Sequence, residues 1–140
     1  MKKKIYILKN FFSKGEVILE YNKENFLKSI SFSNDIDEKY YLWIKKNMPY
    51  KEKIIKLWKN KSYNIFIKKV PFDLSFNFFW KSYNYKVGKR KMAENIWEKM
   101  SLFEKIKAIS YIPKYFDHIK KTGHKKAYPT TYLSQKYFFL

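Results

Sequence analysis

Lys86, Lys89, Arg90 and Lys91 place four strong cations within six residues, at a point where the pattern predicts a helix start. Cations there oppose the helix dipole, at a cost of about 0.3–1 kcal/mol each. An anion held by the free backbone amides of that turn reverses the sign. Phosphate binding is therefore the chemistry these residues suit. A second cluster, Lys120, Lys121, Lys125 and Lys126, surrounds an expected helix end, where cations are favourable without any ligand. Tyr85 and Tyr128 each fall in an expected loop beside a lysine, a setting in which a base could stack on the ring. A solvated lysine face and rings folded partly over the helices are the ordinary alternatives.

Catalytic chemistry finds little material. His118 and His124 are six apart, with only Asp117 beside them and no cysteine anywhere, which is poor spacing for a metal. No metal site and no cofactor are expected. Three glycines do not build a phosphate-cradling loop, and no serine lies in a nucleophile motif. Asp35, Asp37 and Glu38 sit where a helix start stabilises carboxylates. The expectation is a non-enzymatic protein.

The elements that must carry these residues fall into two regions, 1–72 and 73–140. The fold class expected is α+β. Lys4 to Phe12 and Gly15 to Tyr21 read as strands, with Ser13-Lys14-Gly15 as a hairpin turn. Phe26 to Phe32 alternates as a third strand, although Lys28 falls on its apolar face. Ser33-Asn34-Asp35 offers N-cap chemistry ahead of Ile36, Tyr40, Trp43 and Ile44 at helical spacing. Pro49 is placed to open a second helix, with Tyr50, Ile54, Leu57 and Trp58 as its apolar stripe and Lys51, Lys53, Lys56 and Lys59 on the other faces. Tyr63 to Val70 reads as one more strand, ended by Pro71.

From Asp73, a candidate cap, the pattern turns helical and predicts a subdomain of three to four helices. Phe76, Phe79, Trp80 and Tyr83 recur at i, i+3, i+4 and i+7, the spacing of a core-facing stripe. Gly88 breaks the chain before a helix from about Lys89 to Met100, with Ala93, Ile96, Trp97 and Met100 inward. Ser101 and Glu104 form a capping-box signature. The helix it opens should be kinked or divided by Pro113 and ended at Thr122-Gly123.

Composition sets the partner class. Lys and Arg number 31 against 12 acids, a formal net charge of +19, and Arg90 is the sole arginine. AT-rich coding would enrich lysine together with Asn, Ile, Phe and Tyr, but it does not explain the scarcity of acids. Charge of this size draws a polyanion and opposes compaction. At 46% hydrophobic and 21% aromatic residues, the chain still affords a real core and is not a disordered basic tail. No apolar run approaches the roughly 20 residues of a membrane span, and the apolar run after the first lysines ends after four residues, too short for a signal peptide. Without cysteine there is no disulfide framework. The expected location is the cytoplasm of a host cell, with no membrane partner.

Phe76, Phe79, Trp80, Tyr83, Lys86, Gly88, Lys89, Ala93 and Trp97, followed by Pro113, Tyr115 and Pro129-Thr130-Thr131-Tyr132-Leu133, resemble the small helical domain of phage and prophage replication-type proteins. The resemblance spans about Asp73 to Phe138. Tyr132 stands where that family carries Trp, and Tyr83-Asn84 where it carries Tyr-Pro. It implies a helical fold, no catalytic residues, and an association with replication. The function expected is non-catalytic, largely sequence-independent nucleic-acid binding, DNA in preference to RNA, for a phage or mobile element. The alternatives are a protein-binding adaptor or inhibitor aimed at a host nucleic-acid complex, and a virion-associated protein.

Overall fold

The computed structural model describes residues 4–59 and 64–139, except for the side chain of Lys59. The fold is α+β: a four-stranded antiparallel sheet with helices, followed by helices alone. The chain divides into two compact units, residues 1–73 and 74–140.

In the first unit, β1 (Lys4–Asn10), β2 (Glu16–Tyr21), β3 (Leu27–Phe32) and β4 (Ile65–Lys69) pair in the order β3-β2-β1-β4. The β1–β2 hairpin closes with Lys9 opposite Glu16, and their side chains form an ion pair at 3.3 Å. Gly15 in the turn has φ +104°, and a Cβ there would lie 2.5 Å from the Ile36 backbone. Tyr63 of the expected fourth strand lies outside the described residues. Alternation sorts Tyr6, Leu8, Val17, Leu19 and Tyr21 to one face, where they pack with Tyr40 and Ile44 of α1 (Glu38–Lys46) and Ile55 and Trp58 of α2 (Glu52–Lys59). The misplaced Lys28 is resolved by a register shift. Tyr21 opposes Leu27 while Glu20 opposes Ser29, so Lys28 bulges out and Leu27 joins Ile30 and Phe32 against the core.

Two helix starts move from their expected positions. Asp37, not the Ser33–Asp35 run, caps α1 by accepting from the Lys39 amide at 2.9 Å. Ser33 is occupied elsewhere: its Oγ accepts from the Glu16 amide and donates to Asp35. Pro49 does not open α2, because the backbone of Tyr50–Glu52 is spent on pairing with Asn25–Leu27. The Pro49 carbonyl instead accepts a 2.8 Å bond from the Tyr21 hydroxyl. The inward stripe of α2 accordingly shifts to Ile54, Ile55 and Trp58, leaving Tyr50 and Leu57 exposed.

The second unit contains α3 (Phe76–Tyr83), α4 (Arg90–Glu98), α5 (Leu102–Thr122), α6 (Pro129–Ser134) and a 3₁₀ turn (Tyr137–Phe139). Ser75 rather than Asp73 caps α3, accepting from the Phe78 amide. The predicted stripe of Phe76, Phe79, Trp80 and Tyr83 is buried in full. Phe79 is stacked on Trp97 at 5.0 Å and on Tyr83 at 5.7 Å. Three buried polar tips find carbonyls: Trp97 Nε1 donates to Leu74, Tyr132 to Ala108 and Tyr83 to Ala127. Ser101 and Glu104 make both bonds of the capping box. Pro113 does not divide α5. It sits on an exposed position between Ile109, Ile112 and Tyr115, whose burial holds both sides of the missing hydrogen bond in line. Gly123, at φ +74°, ends the helix, its amide bonded to the Ile119 carbonyl.

Candidate nucleic-acid interface

The α4 start is set by Gly88 (φ +94°) and by Lys89 as an N-cap with no side-chain cap bond. The four cations around it diverge. Arg90 turns back onto α3, its guanidinium 5.4 Å from the Phe76 ring centre and 5.6 Å from that of Trp80, and donates to Asn77 Oδ1. Lys91 reaches Glu94 at 3.4 Å. Lys86 and Lys89 are exposed and have no partner among the described residues. Part of the dipole penalty expected at this turn is thus relieved within the protein, and Arg90 serves as a clamp on two aromatic faces.

The second cluster divides in the same way. Lys121 pairs with Asp117 at 3.0 Å. Lys126 is drawn into an aromatic cage, its Nζ 3.8 Å from the centre of Phe116, 5.1 Å from Tyr83 and 5.5 Å from Tyr85. Burial there pushes the Lys126 ammonium below the usual lysine range. Lys120 and Lys125 remain exposed and unpaired among the described residues. Ion pairs as exposed as Lys91–Glu94 and Lys121–Asp117 contribute little, so a phosphate can exchange for either carboxylate.

Tyr85 and Tyr128, far apart in the sequence, are brought together by the fold. Their rings stack at 6.2 Å and 26°, with Tyr128 exposed beside the half-buried Tyr85. The anchor is a backbone clasp on the residue between Lys126 and Tyr128: Ala127 gives its carbonyl to Tyr83 at 2.6 Å and its amide to the Tyr115 oxygen at 2.9 Å.

Some features had no counterpart in the linear reading. Phe11 and Phe12, expected within β1, leave the strand and stand 69% and 81% exposed at the hairpin turn, with Phe66 of β4 6.4 Å from Phe11. Glu52 is a buried carboxylate accepting from the Tyr6 hydroxyl at 2.7 Å. Burial works to raise its pKa, but that bond and the charges of Lys4, Lys56 and Lys69 hold it below the usual carboxylate range. His118 and His124 are exposed, their rings 6.5 Å apart, and among the described residues no three His, Cys, Asp or Glu side chains converge as a metal site. Among the described residues no helix is long and apolar enough to cross a membrane.

No curated protein and no solved structure matches the chain. A family model described as the Legionella vir region protein LvrA C-terminal domain matches residues 71–136, just under half of the chain and nearly the whole helical unit. The helical unit is therefore similar to that domain.

Proposed function

We propose that this protein is a non-catalytic module that binds the phosphate backbone of nucleic acid, DNA in preference to RNA and with little regard to sequence, in the replication of a phage or mobile element within the host cytoplasm. The observation that carries the reading is the charge imbalance. Twelve acids cannot neutralise 31 cations, so even complete internal pairing leaves 19 in excess. The lysines of the two clusters that are exposed and without partners among the described residues, Lys86, Lys89, Lys120 and Lys125, are point charges suited to phosphate. Base-specific recognition draws most often on arginine, and Arg90 is engaged on Phe76 and Trp80.

The test is competition among oligonucleotides of matched length and different sequence, at fixed salt. A preference above roughly 10³-fold for one site is the range of specific binding and sinks the reading. Replacing Lys86, Lys89, Lys120 and Lys125 with Gln should weaken binding and shrink the slope of log K against log salt by up to about 0.9 per lost duplex contact. Lys51, Lys53 and Lys56 on the other unit provide the control. Equal losses per charge removed from the two sets mean bulk charge and no localised interface.

A second reading, a protein-binding adaptor or inhibitor, is favoured by the exposed Phe11, Phe12 and Phe66 side chains. Retention of a partner after nuclease treatment, lost on replacing Phe11 and Phe12 with Ser, supports it over the first.

A further inference from the structure

The C-terminal half of α5 and the chain that returns past it enclose a cleft of about 530 Å³. Tyr111, Tyr115 and His118 project into it from α5 at i, i+4 and i+7. His124 and Lys125 line it from beyond the Gly123 turn, and Tyr137 from the 3₁₀ turn. The tyrosine rings are contiguous, Tyr111 lying 6.5 Å from Tyr115 and Tyr115 lying 5.9 Å from Tyr137, and the two imidazoles are 6.5 Å apart. The lining is mostly apolar, contains no carboxylate, and carries one ammonium. Its size is that of a small-molecule pocket, in the range of about 300–1,000 Å³.

That combination selects a ligand with a flat aromatic body and a negative charge. The half-buried Tyr111 and Tyr137 rings offer faces for stacking, the imidazole nitrogens offer hydrogen bonds to a polar edge, and Lys125 offers an anion contact. We infer that the cleft receives an unstacked nucleobase of a single strand, with the adjoining phosphate at Lys125. This inference rests on the nucleic-acid reading and deepens it: a base inside a duplex is paired and stacked and cannot enter, so the protein prefers single strands. A strand fits better than a free nucleotide, because a chain with a formal net charge of +19 gains more from many linked phosphates than from one.

The test measures binding of the full chain by fluorescence anisotropy to an oligodeoxythymidylate, to an abasic strand of equal length and charge, and to a duplex. The base-bearing strand should bind roughly 5- to 150-fold more tightly than the abasic strand, the range of one stacked base. Tyr137→Leu should abolish that preference. Because Tyr137 also packs on the core, the double variant His118→Ala/His124→Ala, altered only at exposed positions, should reduce it independently. The abasic strand, held by phosphate contacts alone, should be unaffected. Equal binding of both strands overturns the cleft assignment and leaves the backbone reading standing. A base preference that survives in both variants overturns it as well, by placing the base elsewhere. Failure of every strand to bind removes both readings. Thymidine monophosphate that saturates the protein as tightly as the strand overturns the strand assignment in favour of a free nucleotide.

Discussion

Tyr132 is the position at which the helical unit should be most sensitive. Its side chain is fully buried, with Phe79, Tyr83, Tyr115 and Phe138 rings at 4.9–6.0 Å and its hydroxyl donating to the Ala108 carbonyl at 2.7 Å. Tyr132→Phe keeps the ring and removes one hydrogen bond. The Ala108 carbonyl lies inside α5 and keeps a helical donor, so the loss should be about 0.5–1.5 kcal/mol. Tyr132→Ala removes the ring and leaves a cavity walled by four aromatics, a loss of about 3–5 kcal/mol. Tyr132→Trp puts a larger ring in the same place. In a site with no exposed surface, it should still cost about 1–3 kcal/mol through overpacking. Urea unfolding followed by tryptophan fluorescence measures all three, since Trp80 and Trp97 lie in the same core. If Tyr132→Phe costs as much as Tyr132→Ala, the hydrogen bond and not the ring sustains the core, and the reasoning fails. A gain in stability from Tyr132→Trp would mean that the core holds room for an indole.

The Tyr40 hydroxyl is buried with no hydrogen-bond partner among the described residues, so Tyr40→Phe should stabilise the sheet unit by about 1 kcal/mol; a lower Tm in calorimetry contradicts this. Arg90→Gln should cost about 0.5–1 kcal/mol through its lost ring contacts while Lys89→Gln costs nothing measurable, which paired thermal melts decide. Gly15→Ala should destabilise by more than about 1 kcal/mol because of its positive φ and the 2.5 Å approach to Ile36; unchanged urea midpoints rule that out. The Glu104 carboxyl is held below the usual range first by the Ser101 backbone hydrogen bond and further by Lys136, against burial, and Glu52 is likewise depressed. Depressed folded values mean that both contribute stability fully above the ordinary carboxylate pKa of about 4.3, lost as pH falls through the folded values. Glu52→Gln and Glu104→Gln should therefore flatten the decline of Tm below about pH 4, and an unchanged acid limb refutes the assignment.

The sequence by itself determined the elements whose periodicity is strong and whose signals are local. The α3 stripe, the Ser101–Glu104 capping box, the Gly123 stop and the β1–β2 hairpin are each specified within a few neighbouring residues, and each is present. So was the excess of cations, which no fold can neutralise. Tertiary structure decided whatever depends on competition for a backbone or side-chain group by distant chain. Ser33 was lost as a cap to the Glu16 amide, and the segment after Pro49 was lost to pairing with Asn25–Leu27. A bulge at Lys28 corrected an alternation that looked impure. The same holds for the charges: spacing placed Arg90 and Lys126 among the candidate phosphate contacts, while the rings of Phe76 and Trp80 engage Arg90 at the surface and that of Phe116 engages the half-buried Lys126. A cation's partner is set by what lies within a few ångströms of its tip, and for a long flexible side chain that is fixed only when remote aromatic faces are brought alongside it.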